Sequence, residues 1–324
     1  MGKASRQGTQ KAARSIKIHD ASAVISALET AARLQNDAAA AAGAYGTLNQ
    51  WAQSPVMLRV DHDFAIALAD TDANVEITGD WLDKQAYGAV GFSFPDPLVL
   101  SRSNHIYRYN GLVACGITLT GTTTTYGPIG EAAGILCLWT YSVDDLPIPG
   151  LQPVIFMTRG ELIAGQTLGD YIAEAARRQD FGGDKAVGAF MTSLSLQLML
   201  YLGASDRDVD WVPPASVARP HHMRDAQIGN LGWRVGQAFR QIRGHKATER
   251  PDDSGSWRMP PHIRRAHYQR VRVAARDESG RIIGSQRGAE GIDWAYETRW
   301  IPPTPVKAAS GIGPVVHDLI SPGH

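Results

Sequence analysis

The chain has 324 residues, of which 44% are hydrophobic, so it can bury a sizeable core as one elaborate domain or as two packed ones. It contains two cysteines, which excludes a disulfide-stapled scaffold and favours a reducing cytosol. The net charge is zero, but residues 1–217 carry 15 Lys and Arg against 22 Asp and Glu, whereas residues 218–287 carry 15 against 6. A local basic face of this kind attracts nucleic acid or an acidic protein surface.

The N-terminal segment carries five basic residues and no acid before Asp20, and no apolar core of a signal peptide follows it. It predicts a loose basic arm. Residues 21–43 are rich in alanine and place Ile25, Leu28 and Leu34 at helical spacing, which predicts one helix ending at Gly43. We therefore expect the arm and this helix to occupy residues 1–50, ahead of an α+β core over residues 51–217.

Three segments of the core are rich in Val, Ile, Thr and aromatic residues: 85–94, 105–121 and 134–143. They are bounded by Gly, Pro and Asn, and they predict consecutive strands of one antiparallel sheet. Residues 57–70 fit either a helix or the opening strand. Cys115 and Cys137 lie inside these apolar runs and are interpreted as small buried hydrophobes.

After the strands come helices. Residues 145–156 are interrupted by prolines and predict a connection, and residues 165–179 predict a helix with one apolar face formed by Leu168, Tyr171, Ile172 and Ala175. Residues 186–204 are uncharged and about long enough to span a membrane, but Ser195, Gln197 and neighbouring hydroxyls favour a buried core helix. Strands in a run followed by helices in a run predict an α+β fold.

The C-terminal region, residues 218–307, is predicted to be basic and packed on the core, with a tail over 308–324. Residues 225–244 predict a basic helix whose apolar stripe comprises Ile228, Leu231, Val235, Phe239 and Ile242. A polar connection over 245–261 follows. Period-two patterns in 267–273 and 294–302 predict a β-hairpin, with Tyr268, Arg270 and Arg272 on one face.

The sequence contains none of the common enzyme motifs: no phosphate-binding loop, no dinucleotide fingerprint, no GxSxG elbow and no HExxH. Asp61–Asp63 contains two carboxylates, but three adjacent residues of a regular element cannot all face one ion, which favours a polar turn. The spacing of His262 and His267, or of His221 and His222, does not suit zinc. We therefore expect no metal and no cofactor, leave the catalytic residues unassigned, and favour a binding protein over an enzyme.

The densest cluster lies within residues 260–273, where four arginines accompany two histidines and a tyrosine. Arginines interleaved with Tyr268, Trp257, Trp294 and Trp300 are typical of single-stranded RNA binding, in which rings stack on bases and guanidinium groups hold phosphates. Guanidinium groups also pair with carboxylates, so the same cluster fits an internal network that pins the hairpin onto the acidic first 217 residues. The sequence leaves both interpretations open.

Four segments in this order, "ARPHH" (218–222), "WRVGQAFR" (233–240), "PHIRRAHY" (261–268) and "RWIPPTPV" (299–306), resemble the C-terminal half of a type V-A anti-CRISPR protein family. The resemblance covers about residues 195–307 and departs from the family pattern over residues 274–293. Carried over residue by residue, it implies that the binding residues are Arg219, His222, Arg234, Arg240, His262, Arg264, Arg265, His267, Tyr268, Arg299 and Trp300.

In that family, the protein is understood to recognise the nascent N-terminal polypeptide of the CRISPR effector nuclease and to trigger translation-dependent degradation of its mRNA. The resemblance implies a protein of a phage, plasmid or other mobile genetic element that acts in the bacterial cytoplasm. Its implied partners are a nascent polypeptide, with mRNA, the ribosome or a host RNase as further candidates, and no membrane. Exposed strand edges in the first half are the natural peptide sites.

Because the first 200 residues barely match the family, the target is either the CRISPR nuclease or another host defence protein. Two alternatives come from the residues themselves. One is an RNA-cleaving enzyme in which His262, His267 and Arg265 perform acid–base and phosphate-stabilising work. The other is a general RNA-binding module.

Overall fold

One mixed sheet organises the molecule, seen in a computed structural model of the chain. The residues described are 19–34, 37–72, 74, 85, 87–102, 105–143, 149–157, 166–178, 185–204, 207–213, 220–246, 262–264, 266–277, 279, 281–283, 292–302 and 304–306. The strands are β1 (Val56–Val60), β2 (Ala89–Arg102), β3 (His105–Thr120), β4 (Thr123–Gly127), β5 (Gly134–Val143), β6 (Gly150–Met157), β7 (Val209–Trp211), β8 (Gln227–Leu231), β9 (His262–Arg264), β10 (His267–Ala274), β11 (Trp294–Ile301) and β12 (Thr304–Val306). The helices are α1 (His19–Leu34), α2 (Ala38–Gln53), α3 (His62–Ala69), α4 (Leu168–Arg178), α5 (Lys185–Leu202) and α6 (Trp233–Lys246).

Eight of these strands form the main sheet, in the order β6-β5-β3-β2-β1-β8-β7, with β4 paired to β3. The pairings among β2, β3, β4, β5 and β6 are antiparallel, as the sequence predicts, whereas β1 runs parallel to both β2 and β8. The predicted α+β class is therefore confirmed, with a mixed sheet. Strand β8 belongs to the basic C-terminal region and lies between two strands of the acidic first 217 residues.

Two helices cover one face of the sheet. Helices α1 and α2 pack through Val24, Leu28 and Trp51 against sheet residues that include Val113 and Cys115. A buried polar contact fixes α1 in place, because the Asp20 carboxylate accepts hydrogen bonds from Arg59 Nε and Ser93 Oγ, each at 3.0 Å.

The opposite face carries the larger core, built from α3, α4, α5 and the aromatic residues of the central strands. Helix α5 is long and apolar enough to cross a membrane by length and composition, and 67% of that window is buried inside the fold. Ser195 of α5 is fully buried and accepts a hydrogen bond of 2.8 Å from Trp139 Nε1, which explains one hydroxyl in the apolar run. The predicted apolar face of α4 is confirmed, since all four of its residues are buried.

The C-terminal hairpin has the predicted register. Strands β10 and β11 pair antiparallel, with Tyr268 opposite Trp300, Arg272 opposite Tyr296 and Ala274 opposite Trp294. Tyr268 and Trp300 join the larger core beside α3 and α5. A second small sheet pairs β9 with β12.

Three local predictions are wrong. Residues 21–43 do not form a single helix: Asp37 caps a second helix, α2, by accepting hydrogen bonds from the Ala39 and Ala40 backbone N–H groups, and α2 continues past Gly43 to Gln53. A carboxylate at this position satisfies backbone donors that would otherwise lack partners, so it starts a new helix.

The predicted connection over 145–156 contains strand β6, which is the terminal strand of the main sheet. A proline is compatible with an edge strand, because its missing N–H need not serve a second neighbour. The predicted helix over 225–244 begins only at Trp233, since residues 227–231 form β8. Gly232 separates the two elements with φ of 68°, a left-handed conformation that glycine adopts without strain.

Candidate functional site

Helix α6 is fastened at its first turn by a buried carboxylate. The Arg234 backbone N–H donates to Asp208 Oδ2 at 2.9 Å, and its Nε donates to Asp208 Oδ1 at 2.6 Å. Asp208 is buried, and its hydrogen bond raises the pKa of Arg234 above the ordinary value. The Arg234 side chain is thus held by the first part of the chain, as the network interpretation of the basic cluster requires.

A second carboxylate pair holds α6 two turns later. Arg240 Nη1 donates to Asp61 Oδ2 at 2.8 Å and to Asp63 Oδ2 at 3.0 Å. Partial burial lowers the pKa of Arg240, but the hydrogen bonds from Asp61 and Asp63 outweigh it and raise that pKa overall. Asp61 also caps α3, accepting the backbone N–H groups of Asp63 and Phe64 at 3.0 and 3.2 Å.

The close approach of α6 to Asp61 depends on Gly236. A Cβ atom at this position would lie 1.8 Å from Asp61 Oδ1, so no larger residue fits without displacing the carboxylate. The DHD segment is therefore a helix cap that receives an arginine. Among the described residues, no group of three His, Cys, Asp or Glu side chains is placed to hold a metal ion.

The inner end of the hairpin is part of the core. Tyr268 is 7% exposed and donates its hydroxyl to the Gln197 backbone carbonyl at 3.3 Å, and Trp300 is 3% exposed and donates Nε1–H to Thr71 Oγ1 at 3.1 Å. Trp300 lies edge-on to Phe64 and Tyr201, with ring centroids 5.4 and 5.3 Å apart. These two predicted binding residues therefore anchor the hairpin.

The outer end of the same face is exposed. Trp294 is 45% exposed, Tyr296 is 57% exposed, and the Arg272 guanidinium carbon lies 4.2 Å from the centroid of the Trp294 ring. Sequence reasoning included Trp294 in an aromatic cluster but did not select Arg272 or Tyr296 as binding residues. The period-two pattern already placed Arg272 and Tyr296 on the face of Tyr268 and Trp300.

An apolar groove of about 210 Å³ lies on the other side of the main sheet, between the first turns of α2 and strands β3 to β6. Its lining includes Ala40, Gly43, Leu119, Tyr126, Leu151 and Ile155, and it contains no charged residue. Leu119 and Ile155 are exposed at its rim. The groove borders β6, the terminal strand of the sheet.

A sequence profile of the AcrVA2-like family, the anti-CRISPR type V subtype A2 family, matches residues 58–308. The chain belongs to this family. The match confirms the resemblance to type V-A anti-CRISPR proteins and carries it well into the first half of the chain. A solved structure, described as the crystal structure of AcrVA2, is similar over 87% of this chain and 83% of that chain, at 15% identity and a TM-score of 0.43. No curated protein sequence matches the chain.

In this AcrVA2-like chain, the predicted binding residues are distributed over several places. His267 begins β10 and is half-buried, and Arg299 lies on the opposite hairpin face with Glu297 Oε2 3.5 Å from its Nη2. The backbone of His222 lies in a short 3-10 turn, and the backbones of His262 and Arg264 lie in β9, but these three side chains are outside the described part of the structure. Arg219 and Arg265 are outside the described residues altogether.

Neither cysteine of this AcrVA2-like chain is a reactive thiol. Burial raises the pKa of Cys115 to about 11, although Cys115 Sγ lies 3.7 Å from the Thr47 hydroxyl. Complete burial also raises the pKa of Cys137. The thiolate is the reactive form of cysteine, so both groups act as packing side chains. The surfaces that remain for binding are the apolar groove and the exposed end of the hairpin.

Proposed function

We propose that this AcrVA2-like protein lowers expression of a host defence protein by binding its nascent N-terminal polypeptide and triggering translation-dependent degradation of the mRNA. The protein would act in the cytoplasm of a bacterium that carries the mobile element, where it serves CRISPR evasion or the evasion of another defence. The apolar groove beside β6 is the observation that carries the peptide part of this proposal.

The size and lining of the groove suit peptide side chains. At about 210 Å³ it is smaller than the pockets of roughly 300–1,000 Å³ that enclose drug-sized ligands and cofactors. Its lining of Leu, Ile, Ala and Tyr offers apolar surface, so the favourable contribution comes from removing apolar side chains from water.

The strand beside the groove suits an extended peptide backbone. In β6, Val154 and Phe156 face the core, whereas Leu151 and Ile155 alternate with them and line the groove. A peptide that adds a strand beside β6 places every second side chain over the same face, which is how strand addition combines backbone affinity with side-chain selectivity. A nascent chain is extended and unfolded when it leaves the ribosome, so it can bind in this mode.

The α2 wall of the groove differs from the floor in one respect. Ala39, Ala40 and Gly43 precede the region that matches the family profile, whereas the strands that form the floor lie inside it. Changes in α2 would alter the shape of the groove without altering the sheet. We propose that this wall contributes to the choice of target peptide.

The test is a pull-down of the protein from translating bacterial lysate, with sequencing of the co-purified messages before and after puromycin. We expect one or a few messages to be enriched and to disappear when puromycin releases nascent chains. Ile155→Glu, at the groove rim, should abolish the enrichment. Val99→Glu is the matched control, since Val99 is also an exposed strand residue but lies outside the groove.

Two results would contradict the proposal. Enrichment that persists after puromycin would show that the messages are bound without nascent chains. Degradation of the messages by purified protein in the absence of ribosomes would instead support the RNA-cleaving alternative. The Arg264→Ala/Arg265→Ala variant tests the arginines implied by the resemblance in the same experiment.

A further inference from the structure

The exposed end of the hairpin differs from every other aromatic surface described so far, because its rings are combined with an arginine that no described carboxylate holds at ion-pair distance. We define the hairpin platform as Arg272, Trp294 and Tyr296. These residues share one face, with Arg272 directly opposite Tyr296 and adjacent to Trp294 across the strands. The Arg272 guanidinium carbon is 4.2 Å from the centre of the Trp294 ring.

We propose that the hairpin platform binds single-stranded RNA. The two rings stand on the same strand two residues apart, which separates their Cα atoms by about 6.8 Å, or about twice the 3.4 Å spacing of stacked bases. Exposed aromatic side chains on a sheet face stack on unpaired bases, and this is the main route by which sheets recognise single-stranded RNA. A guanidinium group beside the rings adds a phosphate contact and a further stacking surface.

The local charge favours a polyanion over an apolar partner. Among the described residues from 266 to 302, there are five arginines and three carboxylates. Two of the carboxylates are already engaged: Glu297 lies on the opposite hairpin face near Arg299, and Asp277 accepts hydrogen bonds from Ser279 and the Arg281 backbone N–H. Arg276 and Arg281, both exposed, lie beyond the platform towards the end of the hairpin, which extends the basic surface.

The hairpin is able to present this platform because its other end is fixed. Tyr268 and Trp300, on the same face, are buried against α3 and α5, so the strands leave the core as a supported ribbon. The rings of the platform are therefore exposed without a cost to the core. Exposed aromatic rings are otherwise unfavourable in water, and stacking on bases would remove them from it.

This inference goes beyond the proposed function, which needs a peptide site but no direct contact with RNA. The platform would let the protein hold the message while the groove holds its product, in a complex where both are close together. The platform residues are not among those implied by the family resemblance, and they lie beside residues 274–293, where this chain departs from the family pattern.

The test uses the full-length chain and fluorescein-labelled oligoadenylate and oligouridylate of 12 nucleotides, with binding measured by fluorescence anisotropy over a range of salt concentrations. We expect binding that weakens as salt rises, because phosphate contacts release counterions. Trp294→Ala/Tyr296→Ala should lower the affinity at least tenfold, since each stacked base is lost with its ring. A duplex of the same length should bind more weakly than the single strand.

Three variants separate binding from folding. Trp294→Phe/Tyr296→Phe keeps two stacking rings and should bind within about threefold of the wild type. Arg272→Gln should reduce the slope of affinity against salt by about one phosphate contact. Trp233→Ala is the matched control: Trp233 is also 45% exposed and lies 5.7 Å from an arginine, Arg240, but that arginine is held by Asp61 and Asp63. It should not change the affinity.

Several results would overturn the inference. They are a wild-type protein that binds no oligonucleotide at low salt, an Ala/Ala variant that binds as well as the wild type, or a polyglutamate peptide that displaces the RNA at equal concentration, which would point to an acidic protein surface. The assay contains no ribosome and no nascent peptide. Its failure is therefore distinguishable from failure of the peptide proposal, which the groove variants test separately.

Discussion

The arginines of α6 and those of the hairpin differ in what lies opposite them. Arg234 and Arg240 meet buried carboxylates of the first part of the chain, Asp208 and Asp61. Arg272 meets an exposed indole ring. The two regions have the same basic composition, yet one fastens a helix and the other presents a surface. What an arginine does in this fold is decided by its partner, and the two interpretations of the basic cluster therefore apply to different arginines.

The two ends of the hairpin show the same contrast with tryptophans, and this gives the largest expected effect. Trp300→Ala removes a side chain that is 3% exposed and should destabilise the fold by about 3–5 kcal/mol. Trp294→Ala should cost less than about 1 kcal/mol, because the ring is half exposed and loses mainly its contact with Arg272. Urea unfolding followed by circular dichroism measures both. Equal losses would contradict the distinction between anchor and platform.

Asp61 tests whether α6 is fastened through its carboxylate. Asp61→Ala removes the cap of α3 and one partner of Arg240, and it should destabilise the fold by about 2 kcal/mol. Asp63→Ala removes only the other partner of Arg240 and should cost less than about 1 kcal/mol. Thermal unfolding of the two variants beside the wild type gives the comparison. If Asp61→Ala melts like the wild type, the ion pair does not hold the helix.

A pair of arginine variants compares the two regions directly. Arg234→Gln leaves the buried Asp208 without its charged partner and should cost about 1 kcal/mol, a value reduced because Arg234 is half exposed. Arg272→Gln should change stability by less than about 0.5 kcal/mol and should affect RNA binding instead. Unfolding and anisotropy measurements on both variants should give opposite orders. The same order in both assays would remove the contrast.

The smallest effect concerns the turn near the end of the hairpin. Hydrogen bonds from Ser279 Oγ and from the Arg281 and Ser279 backbone N–H groups hold the pKa of Asp277 below its usual value. The folded pKa is lowered, so the stabilising contribution is present above the unfolded pKa of about 3.9 and is lost as pH falls through the folded value. Proton NMR of the Ser279 amide should show the turn intact at pH 6 and loosened only in acid. A change near neutral pH would contradict this assignment.

Elements whose pattern is local could be predicted from the sequence. The apolar face of α4, the long strands β2, β3 and β5, and the register of the hairpin all follow from periodicity within single segments. The helix over 225–244 was wrong at its start because Ile228 and Leu231 are three residues apart, a spacing that fits a helix but also occurs in a strand. The partner that makes it a strand is β1, which lies far away in the chain.

The sequence by itself determined the α+β class, the asymmetry of charge, the hairpin and the family, because each rests on composition, periodicity or a motif in one stretch of chain. The tertiary structure alone decided which arginines are fastened and where the groove lies. Arg240 and Asp61 are 179 residues apart, and the groove joins the first turns of α2 to four strands. Charge and hydrophobicity specify what a side chain can bind, whereas the contacts available to it depend on chain segments that only folding brings together.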